Sequence, residues 1–256
     1  MPSLLDILKL PAECLIEQKI PKKSLSQNAQ QSSVTANQLT ALESISLKAH
    51  ITPHNTNIPA YVDEVHEYLE LFHIRVVFKE GEVSDGQSKF IHRLIHQSIA
   101  YPVLLELCRE DERQWSVADK SINQANPQHE QLVLKEILMT DWLPPIADEL
   151  QNVFYQRLAF ANQDQSNLMQ LYTGWISTFV SYLTADSLGR KTLEDEPVNN
   201  AIDLISQRAQ LQQIQELQMR IKALQLKRNT AVQFNEKVAI NVELQKLQLA
   251  LKKLST

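Results

Sequence analysis

The stretch VHEYLELFHIRVVFK, Val65 to Lys79, decides the fold class, because Tyr68, Leu69, Leu71, Ile74, Val76, Val77 and Phe78 concentrate apolar, β-branched and aromatic side chains in one short run. Such residues suit a pleated, half-buried surface, so the run predicts one long strand. Downstream, after the turn EGEVSDGQ, Phe90, Ile91, Leu94, Ile95 and Ile99 recur at helical spacing, and Pro102 forbids simple continuation. VLLELCRE and QWSVADK then read as two strands separated by the charged turn EDER. The next segment, LVLKEILMTDWL, fits a strand or a helix equally by spacing, and Pro144-Pro145 ends it. Upstream, LTALESISLKAHIT reads first as helix and then as strand, punctuated by Pro53 and the polar cluster HNTN. Strand, helix and then several strands is the order of an α+β protein, a mixed β-sheet domain with packed helices.

Further along, NLMQLYTGWISTFVSYL, Asn167 to Leu183, reads as a buried helix despite Gly174. The C-terminal segment carries the clearest periodicity. Ile214, Leu217, Ile221 and Leu224 are spaced three, four, three, and Ile240, Leu244, Leu247, Leu251 and Leu254 are spaced four, three, four, three. Both are heptad seams. Carried forward, the first seam lands on Arg228, Ala231, Asn235, Val238 and Val242 and misses Ile240. That break in register predicts a C-terminal α-helical coiled-coil hairpin with its turn between Arg228 and Asn235. The alternative is one continuous helix of about 55 residues, ~80 Å long, which the absence of Gly and Pro allows. The expected organisation is an N-terminal helix and polar linker over 1–40, the sheet domain over 41–160, a buried helix and connector over 161–197, and the basic helical hairpin over 198–256.

Charge divides along the same line. The segment 198–256 holds nine Lys or Arg against four Asp or Glu, a net +5, so the remainder of a chain with net charge -5 carries -10. A basic segment on an acidic body suits an acidic partner or nucleic acid, though solvated helices also collect lysine. The opening MPSLLDILKLPAECL has Asp6, lacks a basic leader and meets Pro11, so no signal peptide is expected; the apolar runs are too short to cross a membrane, and a cytoplasmic location is expected. Cys14 and Cys108 read as buried thiols.

Catalytic patterns are sparse. His92 and His96 in HRLIH sit one turn apart, a spacing that could hold zinc but lacks further ligands, and surface or capping roles fit them better. Glu70, Glu106, Asp119 and Lys120 lie on or near predicted strands without the ordered spacing of a metal-dependent nuclease, and isolated strand acids usually face solvent. With four glycines and no GxxxxGK[ST] loop, nothing cradles a nucleoside triphosphate. No catalytic residue, metal or cofactor is therefore assigned. Trp115, Trp142 and Trp175 read as core and rim packing.

The segment LKRNTAVQFNEKVAINVELQKLQLALKKL resembles the end of a bacterial family known as domain of unknown function 4391, with Gln233, Phe234, Asn235, Lys237, Val238, Asn241, Glu243 and Leu244 on its motif. Ile20-Pro21-Lys22-Lys23, LELFHIRVVF, Ser98–Leu104, Met139–Leu143 and Leu171-Tyr172 resemble further segments of that family, with Ala100 standing where it usually has proline. The resemblance implies a gene neighbourhood of helicases and DNA methyltransferases in restriction-like or anti-phage loci. It thus implies a non-enzymatic accessory subunit of a DNA-targeting complex that docks on a helicase or methyltransferase. Arg220, Lys222, Lys227, Arg228, Asn235, Lys237 and Asn241 are the candidate partner or DNA contacts. Asn235 and Asn241 could instead cap a helix or turn, with Phe234 pinning that turn against the body. A homodimeric coiled-coil scaffold and a cryptic metal-dependent nuclease are the other two readings.

Overall fold

A computed structural model of the chain describes residues 3–28, 38–81, 83–122, 132–193 and 201–254. The described residues form two compact units, Met1–Phe179 and Val180–Thr256. The first opens with α1 (Leu4–Leu8), β1 (Leu15–Lys19), α2 (Lys22–Asn28) and β2 (Leu42–Ile51), and continues with α3 (Pro53–Thr56), β3 (Tyr61–Val62), β4 (Glu67–Tyr68) and β5 (Leu71–Phe78). Then come α4 (Asp85–Ser98), β6 (Val103–Arg109), β7 (Glu112–Ile122), β8 (Leu132–Met139), α5 (Glu149–Leu158) and α6 (Leu168–Ser187); the boundary between the units falls inside α6. Last are α7 (Ala201–Thr230) and α8 (Phe234–Lys253).

Six strands pair in the order β1-β2-β5-β6-β7-β8, and only β5 and β6 run parallel. Parallel neighbours cannot be joined by a tight turn, and α4, capped at its start by Ser84, supplies the crossover. On one face of the sheet Leu42, Ile45, Ile74, Val76, Phe78, Val103, Leu105 and Leu107 pack with Ile91, Leu94 and Ile95 of α4. The other face packs aromatics: Trp115 lies 5.9 Å from Phe154 and 5.1 Å from Tyr155 of α5, and Phe154 meets Phe179 of α6 edge-on at 5.2 Å. Where β6 and β7 diverge, the Tyr172 hydroxyl is shared among the Ala118 N–H and the carbonyls of Val103 and Ala118. Gly174 is tolerated inside α6 because a Cβ there would fall 2.4 Å from Oε1 of Gln163.

The α+β class and the mixed sheet match expectation. The single strand expected over 65–79 is two: Asp63 accepts from the N–H groups of Val65 and His66, turning the chain so that Glu67-Tyr68 pairs only with Tyr61-Val62 before β5 begins at Leu71. The apolar and aromatic enrichment from Tyr68 to Phe78 conceals that division. The helical start expected after Leu39 is confined to 38–40, and strand takes over at Leu42. Leu132–Met139 is a strand, because its backbone completes the ladder on β7. Several elements depart from expectation: the helix Lys22–Asn28 runs into the expected polar linker, and Pro53–Thr56, read as punctuation, is a capped helical turn. Leu15–Lys19 is an exposed edge strand, held by pairing to β2 and showing no burial pattern. Glu149–Leu158 opens on a capping box between Asp148 and Gln151, a signal legible in the sequence.

In the second unit, two helices replace the continuous one, with the break at 231–233. Across the break Lys227 lies 3.5 Å from Glu236, and Gln210 of α7 donates to the Leu254 carbonyl at 3.4 Å. Ile214, Ile240 and Leu244 are buried, joined by Leu204 and Leu211, while Leu217, Ile221, Leu224, Leu247, Leu251 and Leu254 are half-buried. Among the described residues no helix is long and apolar enough to cross a membrane.

Candidate functional site

Three places hold the chemistry-bearing residues. The first surrounds Glu106, which is fully buried rather than solvent-facing. Glu106 sits opposite Arg75 across β5 and β6, and it accepts from Arg75 Nε at 2.6 Å and from the Leu4 N–H at 3.1 Å. His73 Nε2 is 3.6 Å away, beyond hydrogen-bond distance, and burial keeps that ring neutral. Desolvation pushes the Glu106 carboxyl up, but the Arg75 guanidinium, bonded to it at 2.6 Å, outweighs that and holds the group well below the usual carboxylate range. The cluster ties α1 to the sheet.

The second lies between α4 and β7. His92 Nδ1 and His96 Nε2 both meet the Ser116 hydroxyl, at 2.7 and 2.8 Å, and His92 Nε2 meets Gln114 Oε1 at 3.1 Å. The amide of Gln114 then donates to the Thr140 carbonyl at 2.9 Å. Both histidines are 1% exposed, so the expectation of surface or capping roles is corrected: they are core polar groups, buried because their helical face turns to the sheet. Burial drives His92 down to about 3 and His96 well below its ordinary value. Nearby, Lys120 donates to the carbonyls of Ile99 and Tyr101 at 2.7 and 2.8 Å, just past the C-terminus of α4, and burial lowers it to about 7. The four residues weighed for a nuclease do not converge. Glu70 pairs with His50 at 2.8 Å, Glu106 with Arg75, and Lys120 with carbonyls on the α4 side. Among the described residues no three His, Cys, Asp or Glu side chains gather as a metal-ligand group. Cys14 and Cys108 are buried, and desolvation lifts their thiols to about 11 and about 12, so neither is a ready nucleophile.

The third place is the turn between α7 and α8, and it differs in kind. Val232 is 92% exposed, Phe234 78% and Leu226 62%. Lys227, Arg228, Asn235 and Lys237 stand exposed within one helical turn of them, and an open recess of about 410 Å³ is lined by Lys227, Thr230, Ala231, Val232, Gln233 and Glu236. Arg220 and Lys222 sit further down α7, up to about 15 Å from its end, and Asn241 lies one turn beyond Lys237 on α8; all three are exposed. The capping account of this segment is corrected in two respects. Phe234 is 78% exposed rather than packed into the turn, and the N-cap of α8 is Gln233, which makes no side-chain bond, so Asn235 is not its cap. Sequence reasoning missed Val232 and Leu226 as surface residues, because apolar letters within heptads read as core.

A six-stranded mixed sheet with helices on both faces, followed by the long helices α7 and α8, defines an α+β protein. The family model described as "Domain of unknown function (DUF4391)" matches residues 8–251, and the chain belongs to that family. No curated protein and no solved structure matches it.

Proposed function

We propose that the protein is a non-enzymatic assembly subunit of a bacterial DNA-targeting complex, restriction-like or anti-phage, in which the α+β body docks on a helicase or DNA methyltransferase. In this reading α7 and α8 close as a coiled-coil hairpin whose basic surface contacts DNA or protein in a cytoplasmic assembly. The observation that carries it is the α7–α8 turn, where apolar side chains face solvent beside Lys227, Arg228 and Lys237. Exposed apolar residues rimmed by charge mark interaction sites. The break at 231–233, the Lys227–Glu236 contact and the buried residues Ile214, Ile240 and Leu244 support the hairpin. Tagged protein recovered from its host after nuclease treatment, with light scattering of the eluate, tests the reading: a stoichiometric helicase or methyltransferase is expected, and a lone chain sinks it.

A homodimeric scaffold is the second reading. Met219 and Leu226 on α7, and Val242 and Leu249 on α8, are exposed and seven residues apart, an outer heptad stripe beside the inner seam. A molar mass that stays monomeric across a wide concentration range rules it out.

A further inference from the structure

We propose that the turn between α7 and α8 binds single-stranded nucleic acid, with Phe234 as the stacking platform for a base and Lys227, Arg228 and Lys237 as the phosphate contacts. This deepens the assembly-subunit reading, and rests on it, by naming what the end of the helical pair takes.

A phenyl ring 78% exposed next to a valine 92% exposed gains nothing for the fold, since neither leaves water on folding. Two or three such side chains are also too small a patch to supply the roughly 800 Å² per partner of a stable protein interface. They are enough for a single base, whose face needs one ring. Charge complementarity selects the same occupant. From Leu226 to Val238 three cations oppose one carboxylate, Glu236, which lies 3.5 Å from Lys227; Arg228 and Lys237 are both exposed. Arg220 extends the basic track along α7, seven residues before Lys227 and so on the same stripe of that helix. The N-terminus of α8, which Gln233 leaves without a side-chain cap, adds its unpaired N–H groups to the same positive end. Duplex DNA fits less well, because its bases are already stacked and offer the ring no free face.

The test uses the purified full chain and anisotropy of a labelled, mixed-sequence single strand of about 15 nucleotides, beside its duplex. The expected result is tighter binding of the single strand and a plot of log K against log salt with a slope of about -2 to -3, the release expected for three or four contacts. Phe234→Ala is expected to weaken binding about tenfold with the slope unchanged. Lys227→Gln with Arg228→Gln is expected to flatten the slope by about 1.4. Phe234→Leu keeps apolar volume without an aromatic face and should bind as weakly as Phe234→Ala. All these positions are exposed, so unchanged helicity by circular dichroism is expected throughout. The proposal is overturned if wild type ignores the strand at low salt, if Phe234→Leu binds like wild type, or if the duplex binds equally well. Because no partner protein is present, an inert wild type that still recovers a helicase or methyltransferase, but only with Phe234 intact, overturns nucleic-acid binding in favour of a protein contact. It would leave the assembly reading standing.

Discussion

The sheet unit and the C-terminal helical pair treat their unusual residues in opposite ways. In the sheet unit the polar groups that looked like chemistry are inside and bonded: Glu106 with Arg75 and the Leu4 N–H, His92 with Ser116 and Gln114, Lys120 with two carbonyls, while both ring nitrogens of buried His73 lack a hydrogen bond. In the helical pair apolar groups are outside: Val232, Phe234, Leu226, Met219 and Leu249 are all more than half exposed. A buried polar group is costly unless bonded, so such groups in the sheet report architecture. An exposed apolar side chain does nothing for folding, and several together call for an external partner. Residues that looked like chemistry in the sequence are therefore structural, and residues that looked structural form the candidate surface.

That contrast can be broken by substitution. The largest effect is expected at Glu106→Ala, which strands Arg75 and the Leu4 N–H and should cost about 3–5 kcal/mol in urea unfolding; a loss below about 1 kcal/mol would mean the cluster behaves like a surface pair. Next comes Ile214→Ala, fully buried in the helical pair, at about 2–4 kcal/mol, read as lost helical signal while the fluorescence of Trp115 and Trp175 in the sheet unit is retained. Simultaneous loss of both signals would show that the two units unfold as one.

Acid sharpens the comparison. His92 and His96 have folded values depressed below about 6.5, so the unfolded chain binds more protons than the folded one as pH falls from there, and stability declines. For His92 the decline continues to about pH 3. The slope approaches about 1.4 kcal/mol per pH unit for each histidine, and Glu106, whose folded value is also depressed, adds loss in the same direction below about pH 4.3. Unfolding midpoints that stay flat from pH 7 to pH 5 would contradict neutral burial of these rings. A smaller cost, about 1 kcal/mol, is expected at Gly174→Ala: the new Cβ displaces Gln163, whose amide is held by the carbonyls of Arg157 and Ala159, while alanine recovers helix propensity. Adding Gln163→Ala should remove the penalty. The smallest effect is expected at Phe234→Ala, within about 0.5 kcal/mol of wild type; a clear loss of stability there would mean the ring is covered and the turn is no docking surface.

Residue type and periodicity indicated the α+β class and the helix between β5 and β6, and the register break favoured two C-terminal helices over one, because those features are local patterns along the chain. The capping box at Asp148 was also legible, and its neglect cost a helix. Tertiary structure decided the rest. The polar edge strand at Leu15–Lys19 exists through its pairing to β2, which its own letters do not encode. Whether Glu106 or His92 faces solvent depends on what α1 and α4 lay over the sheet. Only three-dimensional placement shows that Phe234 and Val232, apolar letters in a heptad-rich segment, stand exposed at the break between two helices. The physical reason is the same each time: spacing along the chain fixes which residues share a face, while burial and partnership depend on residues distant in sequence.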